Sequence, residues 1–226
     1  MRRRLQAEVQ QAQTIARTLR RAIRVYEEPI VGVVERRTRD PFRVLIATVL
    51  SLRTKDTTTA GAAQRLFRRA RTPEGMLQLS RREIERLIFP VGMYPTKAKW
   101  LRKISRILLQ KHGGEVPRAQ TDLLALPGVG RKVANLVLGL SFGTPAICVD
   151  THVHRISNRL RLVATKTAEE TERALEHVLP KRYWILWNEL LVTWGQNVCA
   201  PVSPFCSRCV LRKQNLCPRV GVTVSR

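Results

Sequence analysis

Residues 126–132 read LPGVGRK and stand between two segments whose apolar residues recur at helical spacing. Apolar residues at 123, 124 and 126 precede this turn, and those at 133, 136, 137 and 140 follow it. The pattern predicts a helix-hairpin-helix. We expect Gly128 and Gly130 to adopt backbone angles that a side chain would forbid, and the N–H groups that start the second helix to hold a phosphate. The glycines alone leave an ordinary loop between helices as the alternative.

The composition is strongly basic and independently indicates a polyanionic partner. Lys and Arg number 41 against 17 Asp and Glu, which gives a formal net charge of +24. Phosphate is the expected counter-charge, so a nucleic acid is the first candidate partner. A ribosomal-type RNA binder and a peripheral membrane protein are the alternatives. A hydrophobic content of 44% over 226 residues suffices for one or two packed cores.

The sequence predicts neither a membrane span nor a secretory signal. No run of eighteen apolar residues occurs, and the apolar centre of a signal peptide is missing. The arginines at positions 2, 3, 4, 17, 20, 21 and 24 are expected to form the solvated face of a helix. We therefore expect an intracellular protein, cytoplasmic or associated with the nucleoid.

Helical periodicity runs through the rest of the chain, and no alternating strand pattern exceeds a few residues. Ser80 with Glu83, and Thr167 with Glu170, have the spacing of helix N-termini. The prediction is an all-α protein, with residues 29–39 as a connector. Helices are expected over residues 3–26, from 40 to about 50, 57–70, 72–79, 80–88, a long segment ending at 112, from 150 to about 160, 167–179 and 182–194.

Four cysteines cluster in the last part of the chain. Cys199, Cys206, Cys209 and Cys217 are separated by six, two and seven residues. In an intracellular protein such a cluster indicates a metal site rather than disulfides. The spacing alone leaves both zinc and iron–sulfur open. The remaining Cys148 lies between apolar residues and is expected to be a buried apolar side chain.

The hairpin and a second motif together resemble a known family. Gly130-Arg131-Lys132 is followed by Val149-Asp150-Thr151-His152, and this pair resembles the endonuclease III branch of the helix-hairpin-helix DNA glycosylases. The resemblance extends over roughly residues 30 to 217. Its further elements are Pro41-Phe42, Gly92-Met93-Tyr94, Lys97-Ala98, Gly114-Glu115-Val116-Pro117 and the four cysteines.

This resemblance implies a two-lobed architecture with a cofactor. A helical barrel with the hairpin would span residues 34–144, and residues 1–33 with 145–226 would form a second domain. The four cysteines would hold a 4Fe-4S cluster there, whose single short cysteine pair suits this family better than a zinc ribbon. The last gap has seven residues where the family usually has five, so we expect a differently shaped loop. Asp150 and the hairpin would lie at the junction of the lobes, where a flipped nucleotide could enter.

The resemblance also implies a catalytic pair. Lys132 would attack the anomeric carbon of a damaged nucleotide, and Asp150 would stabilise the positive charge that develops on the sugar. The resulting Schiff base would permit strand cleavage by β-elimination. The expected activity is that of a DNA glycosylase and abasic-site lyase, acting as a monomer on oxidised pyrimidines in duplex DNA.

Six residues are expected to contact DNA on the same basis. Met93 would be an apolar wedge between bases, although a methionine is as readily a core residue. Arg53 stands where the family commonly has a glutamine that fills the space of the extruded nucleotide, which leaves its role open between stacking, phosphate binding and a solvated helix end. The others are Gly128, Gly130, Arg131 and His152.

Three alternative functions remain. A glycosylase for mismatches or another lesion would keep the fold, and a lyase acting mainly on abasic sites would keep the lysine. A non-catalytic DNA-docking module would need neither Lys132 nor Asp150, so the presence of both argues against it.

Overall fold

The computed structural model describes residues 2–226, and it describes side chains from residue 6 onward. The arginines at 2, 3 and 4 were expected on a solvated helix face, and their side chains lie outside the described ones. The described chain contains α-helices and short 3-10 helices and no β-strand, which confirms the all-α class. No helix of this described part is long and apolar enough to cross a membrane.

The helices follow one another with short connections. In chain order they are α1 (Arg2–Ala22), α2 (Ile30–Thr38), α3 (Pro41–Ser51), α4 (Asp56–Arg69), α5 (Pro73–Gln78), α6 (Arg81–Ile88), α7 (Tyr94–His112), α8 (Gln120–Leu124), α9 (Arg131–Phe142), α10 (Thr151–Arg159), α11 (Ala168–Val178), α12 (Trp184–Asn197) and α13 (Val210–Lys213). Single 3-10 turns cover Ile23–Val25 and Lys181–Tyr183.

The chain divides into two compact units. Unit 1 comprises Met1–Glu28 and Pro145–Arg226, and unit 2 comprises Pro29–Thr144. Unit 2 therefore begins at Pro29 and includes the whole of α2, whereas the sequence suggested a boundary near residue 34. Each unit has its own apolar core.

Helix α3 is the centre of unit 2. Asp40 caps it by accepting hydrogen bonds from the backbone N–H groups of Phe42 (2.9 Å) and Arg43 (3.3 Å). The helix expected from residue 40 to about 50 is thus present, and every residue from position 42 to 50 except Arg43 is buried in it. It packs against α2, α4, α7 and α9. Its C-terminal end thus has a fixed position, and the loop from Leu52 to Thr54 follows directly.

The segment from 29 to 39 is a helix, and the expectation of a connector there is wrong. Val31 and Val34 of α2 are buried in the core of unit 2. The backbone N–H of Ile30 donates to Asp56 Oδ2 at 3.1 Å, so the first turn is capped by a residue 26 positions later. A cap so distant in sequence leaves no local signal.

Unit 1 is built around α12, which packs against α1 and α10. Trp187 and Leu190 are fully buried in it. Helix α1 also packs against α13, and Thr18 Oγ1 donates to Gln214 Oε1 at 3.1 Å. The two ends of the chain are thereby joined within one unit.

Several helix ends follow the sequence signals. Ser80 and Glu83 form a reciprocal capping box at α6, and Thr167 accepts from the N–H of Glu170 at the start of α11. Gly113 ends α7 with a φ of 60°, the left-handed conformation typical of a C-terminal glycine.

Candidate functional site

The glycine turn joins α8 to α9 in unit 2, and its two glycines differ. Gly128 has a φ of 76°, and a Cβ there would lie 2.8 Å from Cδ2 of Trp100. Both the backbone angle and the packing therefore require glycine. Gly130 has a φ of −95°, which any residue adopts, so the expectation that it needs glycine's conformational freedom is wrong. No atom lies within 4 Å of a Cβ at Gly130, so the glycine leaves open space beside α9.

Lys132 lies in the first turn of α9 and is half-buried, while Arg131 beside it is exposed. Gly130 is the N-cap residue and supplies no side-chain acceptor to this turn. The positive end of the helix dipole and the basic side chains therefore coincide at this end of α9. This arrangement suits a phosphate group.

A second lysine, Lys97 of α7, is fully buried. Burial, and then the charge of Lys132, lower the pKa of Lys97 to about 8. Its Nζ donates to the carbonyl oxygens of Leu50 (2.8 Å) and Leu52 (2.5 Å) and to Thr54 Oγ1 (3.2 Å). The ammonium group thus holds the end of α3 and the loop that follows.

Arg53 and Met93 occupy two loops of unit 2 that touch one another. Both side chains are exposed, and both residues have left-handed backbones, with φ of 51° and 58°. Met93 is 46% exposed, which argues against the core alternative. The N–H of Gly92 donates to Thr54 Oγ1 at 3.2 Å. The two residues predicted to contact DNA therefore lie on adjoining loops.

Asp150 is the N-cap of α10 in unit 1. Its Oδ1 accepts from the N–H groups of His152 and Val153, both at 2.9 Å. Both bonds go to one oxygen, so the cap fixes the orientation of the carboxylate without using Oδ2. Asp150 therefore has a structural role as the N-cap, and this role leaves its carboxylate available for a chemical one.

Arg155 connects this end of α10 to the first cysteine. One nitrogen, Nη2, donates to the carbonyl of Cys199 at 2.8 Å and lies 3.1 Å from His152 Nδ1. Burial lowers the pKa of Arg155, while the charges of Cys199 and Asp150 raise it. A Cβ at Gly195 would lie 2.9 Å from Cγ of His152, so α12 needs a glycine there for the imidazole to fit.

The four C-terminal cysteines lie in one neighbourhood of unit 1. Cys206 and Cys209 are buried, and Cys199 and Cys217 are half-buried. Burial raises the pKa of Cys209 and of Cys217, and Cys199 and Cys206 act on both in the same direction. Cys148 is buried apart from them, as expected, and its Sγ lies 3.3 Å from Asn188 Nδ2.

Arg159 of α10 supports the first of these cysteines. Its Nη1 donates to Cys199 Sγ at 3.3 Å and to the carbonyl of Ala200 at 2.7 Å, and its Nη2 donates to Pro201. The thiol of Cys217 donates to the carbonyl of Arg159 at 3.8 Å. Arg159 therefore touches the first cysteine through its guanidinium group and the last cysteine through its backbone carbonyl.

Sequence reasoning missed the supporting residues of both units. Trp100 beneath the hairpin, Lys97 and Thr54 in unit 2, and Arg155 and Arg159 in unit 1 make contacts that span long stretches of sequence. Lys97 stands in a stretch used for the resemblance, and its position among the apolar residues of α7 was the available signal for burial.

The fold and the glycine turn between α8 and α9 define a helix-hairpin-helix protein, and comparison with known proteins assigns it to base excision repair. A model of the HhH-GPD superfamily of base excision DNA repair proteins matches residues 46–181. The chain belongs to that superfamily and, within it, to the endonuclease III family.

Individual members of the endonuclease III family are similar to this chain over most of its length. Endonuclease III of Thermotoga maritima is 50% identical over 76% of this chain and 81% of its own length. Endonuclease III of Escherichia coli is 39% identical over 78% of this chain and 83% of its own length. The bovine endonuclease III-like protein 1 is 47% identical over 78% of this chain, which spans 58% of that longer relative.

Solved structures extend the comparison to three dimensions. A trapped endonuclease III–DNA covalent intermediate matches with a TM-score of 0.82 and 35% identity, over 93% of this chain and 96% of the other. A thermostable thymine-DNA glycosylase matches with a TM-score of 0.76 and 26% identity, over 96% of this chain and 97% of the other.

Proposed function

We propose that this protein is a bifunctional DNA glycosylase and abasic-site lyase of base excision repair. The observation that carries the proposal is Lys132, a half-buried lysine in the first turn of α9, directly after the glycine turn. The endonuclease III structure that matches this chain with a TM-score of 0.82 is a covalent intermediate with DNA. A covalent intermediate is expected when the protein supplies the nucleophile. A docking module would need no nucleophile.

Lys132 acts as the nucleophile. Its neutral amine forms a bond to C1′ of the damaged nucleotide as the N-glycosidic bond breaks and the base leaves with the bonding electrons. Loss of a proton and opening of the sugar give an imine between the lysine and C1′. Removal of a proton from C2′ then expels the 3′ phosphate, so the strand is cut on the 3′ side of the lost base. Hydrolysis of the imine releases the lysine.

Asp150 supplies the negative charge for this reaction. The sugar becomes positively charged as the glycosidic bond breaks, and a fixed carboxylate stabilises that charge. The N-cap bonds from His152 and Val153 hold the carboxylate in one orientation through Oδ1. Oδ2 is then the oxygen that we assign to the sugar and to proton transfer.

Arg53 and Met93 open the duplex. Both are exposed at positions with left-handed backbones, on loops joined through Thr54 and Gly92. Met93 is the apolar wedge, and Arg53 fills or braces the space left by the nucleotide. Inserting a side chain offsets about a few kcal/mol of lost base stacking. The hairpin, with Gly128, Gly130 and Arg131, holds the phosphate backbone, and His152 contacts DNA from unit 1.

A 4Fe-4S cluster is the proposed cofactor, held by Cys199, Cys206, Cys209 and Cys217. The donor set fits, because four thiols share one neighbourhood beside the cationic Arg159, which offsets the charge of thiolates. The four cysteines contain a single short Cys-x-x-Cys pair, whereas a zinc ribbon normally has two, so the spacing favours the iron–sulfur cluster over zinc. When bound, the cluster crosslinks the C-terminal loop and can carry an electron.

The partner is damaged duplex DNA, and the net charge of +24 suits it. We assign oxidised pyrimidines as the lesions. We also propose that the protein acts as a monomer inside the cell, at the nucleoid. The similarity to a thymine-DNA glycosylase supports mismatched thymine as the second candidate. A panel of duplexes, each with one defined damaged or mismatched base, tests the assignment by base release and by strand cleavage. Turnover of oxidised pyrimidines with strand cleavage is expected; base release from mismatches alone would favour the second candidate.

A further inference from the structure

We propose that Lys97 is a positioning residue that locks the loops of Arg53 and Met93 into one unit, so that both side chains enter the duplex together. The inference rests on the proposed function and adds a residue that touches neither DNA nor the reacting atoms.

The contacts of the Lys97 ammonium group place it at the base of both loops. It has three N–H donors and three acceptors, namely the carbonyls of Leu50 and Leu52 and Thr54 Oγ1. The backbone N–H of Lys97 itself donates to the carbonyl of Met93 at 3.0 Å. Lys97 therefore contacts residues on either side of Arg53 through its side chain and Met93 through its backbone.

Thr54 completes the junction. Its Oγ1 accepts from Lys97 Nζ and from the N–H of Gly92, and it donates to the carbonyl of Leu52 at 3.1 Å. A Cβ at Gly92 would lie 2.7 Å from the carbonyl oxygen of Arg53, so the two backbones are in contact. One hydroxyl and one ammonium group thus tie the neighbours of Arg53 to the neighbour of Met93.

The cost of burying the Lys97 ammonium group indicates that its charge is kept to hold the two loops in place. Burying an ammonium group is costly, and an apolar side chain of similar length would fill the same space without that cost. Arg53 and Met93 both have left-handed backbones, which non-glycine residues adopt only when the surroundings hold them. Lys97 supplies those surroundings. Without it the loops are expected to relax independently, and the two side chains would no longer enter the duplex at a fixed separation.

The test uses Lys97→Met, which keeps the length of the side chain and removes the hydrogen bonds. Lys99→Met is the matched control, because Lys99 is exposed on the same helix and its loss removes the same charge. Single-turnover rates are measured on a duplex with a paired damaged base and on a duplex with a preformed abasic site. The abasic nucleotide is easier to extrude and depends less on the inserted side chains.

We expect Lys97→Met to slow excision of the paired base about tenfold or more, since it removes charge-assisted hydrogen bonds, and to slow abasic cleavage less than about threefold. Thr54→Val removes the hydroxyl group that contacts both Lys97 Nζ and the N–H of Gly92. It should change the ratio of the two rates in the same direction. Lys99→Met should leave that ratio unchanged.

A double-mutant cycle with Met93 distinguishes a positioning role of Lys97 from a general effect on stability. In a Met93→Ala background, Lys97→Met should lower the paired-to-abasic ratio much less than in wild type, because the wedge that it positions is already gone. Equal slowing on both substrates, an equal effect of Lys99→Met, or full additivity with Met93→Ala would overturn the inference. If Lys97→Met does not fold, Thr54→Val takes its place in the same cycle with Met93→Ala, and additivity there is equally decisive.

Failure of the inference is distinguishable from failure of the proposed function. Borohydride reduction of wild type on the abasic duplex tests the lysine chemistry alone. A wild-type adduct with an unchanged ratio in Lys97→Met refutes only the positioning role, whereas a wild type without adduct or turnover refutes the proposed function.

Discussion

A Cβ atom at Gly128 would lie within 2.9 Å of three ring carbons of Trp100, so the indole occupies the space beneath the hairpin turn. Trp100 stands one helical turn after Lys97 on α7, and Lys97 holds the loop of Arg53. Met93 is the N-cap of the same helix. One helix of unit 2 therefore supports the glycine turn and both loops expected to contact DNA.

The two hairpin glycines should respond differently to alanine. Gly128→Ala meets both a left-handed φ, which costs about 1–2 kcal/mol for a residue with a Cβ, and the ring of Trp100. We expect a lower midpoint of thermal unfolding and weaker binding to undamaged duplex. Gly130→Ala meets neither obstacle and loses only the preference of the N-cap position for glycine, so it should lower the midpoint much less. Equal destabilisation by both substitutions would contradict the distinction.

The hydrogen bonds by which Lys97 holds the loops of Arg53 and Met93 should depend on pH. Since burial and the charge of Lys132 lower the pKa of Lys97 to about 8, the ammonium form dominates below that pH and the neutral amine above it. The amine has two N–H groups for three acceptors, so the loops should loosen as pH rises through about 8.

The paired-to-abasic rate ratio is the measurement, since titration of groups used on both substrates cancels in it. We expect the wild-type ratio to fall severalfold between about pH 7 and 9, where the charged fraction drops from about 90% to about 10%. Lys97→Met should give a flat profile. The same slope in both proteins would assign the titration to another group.

Affinity for any duplex should weaken steeply with salt. With about four to eight phosphates neutralised, the slope of log K against log salt should be roughly −4 to −7. Arg131→Gln should make the slope less steep by about one, since Arg131 is exposed next to the glycine turn. A nearly salt-independent affinity would mean that the charge of +24 serves another partner.

The cysteine cluster has a direct optical test. A protein with 4Fe-4S should be yellow-brown, with broad visible absorbance and matching iron and sulfide content. Cys206→Ser should lose that absorbance together with thermal stability, whereas Cys148→Ala, which removes a thiol outside the cluster, should keep it. A colourless, active protein that contains zinc would overturn the cofactor assignment.

Local signals in the sequence suffice for much of the fold. The run of apolar residues predicts the central helix α3, and Ser80 with Glu83 predicts the capping box that starts α6. The LPGVGRK turn predicts the hairpin, because glycine at 128 readily adopts the left-handed backbone angle of the turn. These features depend on residues within a few positions of each other, which is why a sequence alone reveals them.

Features that depend on distant residues were not predictable. Helix α2 is capped by Asp56, and Lys97 reaches acceptors 43 to 47 residues earlier in the chain. Arg155 likewise binds the carbonyl of Cys199, 44 residues later. A periodic pattern carries no information about such pairs. The chemical roles of Lys132, Asp150 and the four cysteines stay predictions, since a side chain's place in the fold does not establish its reactivity.

The imine of Lys132 is the central claim, and borohydride trapping tests it most directly. Reduction during reaction with an abasic duplex should leave wild-type protein covalently joined to DNA. Lys132→Gln should give no adduct while keeping most of its affinity for damaged duplex, because one of 41 basic residues contributes little to phosphate attraction. Asp150→Asn should still give the adduct on the abasic duplex, where no glycosidic bond remains to break. An adduct from Lys132→Gln, or none from wild type on any abasic duplex, would contradict the account.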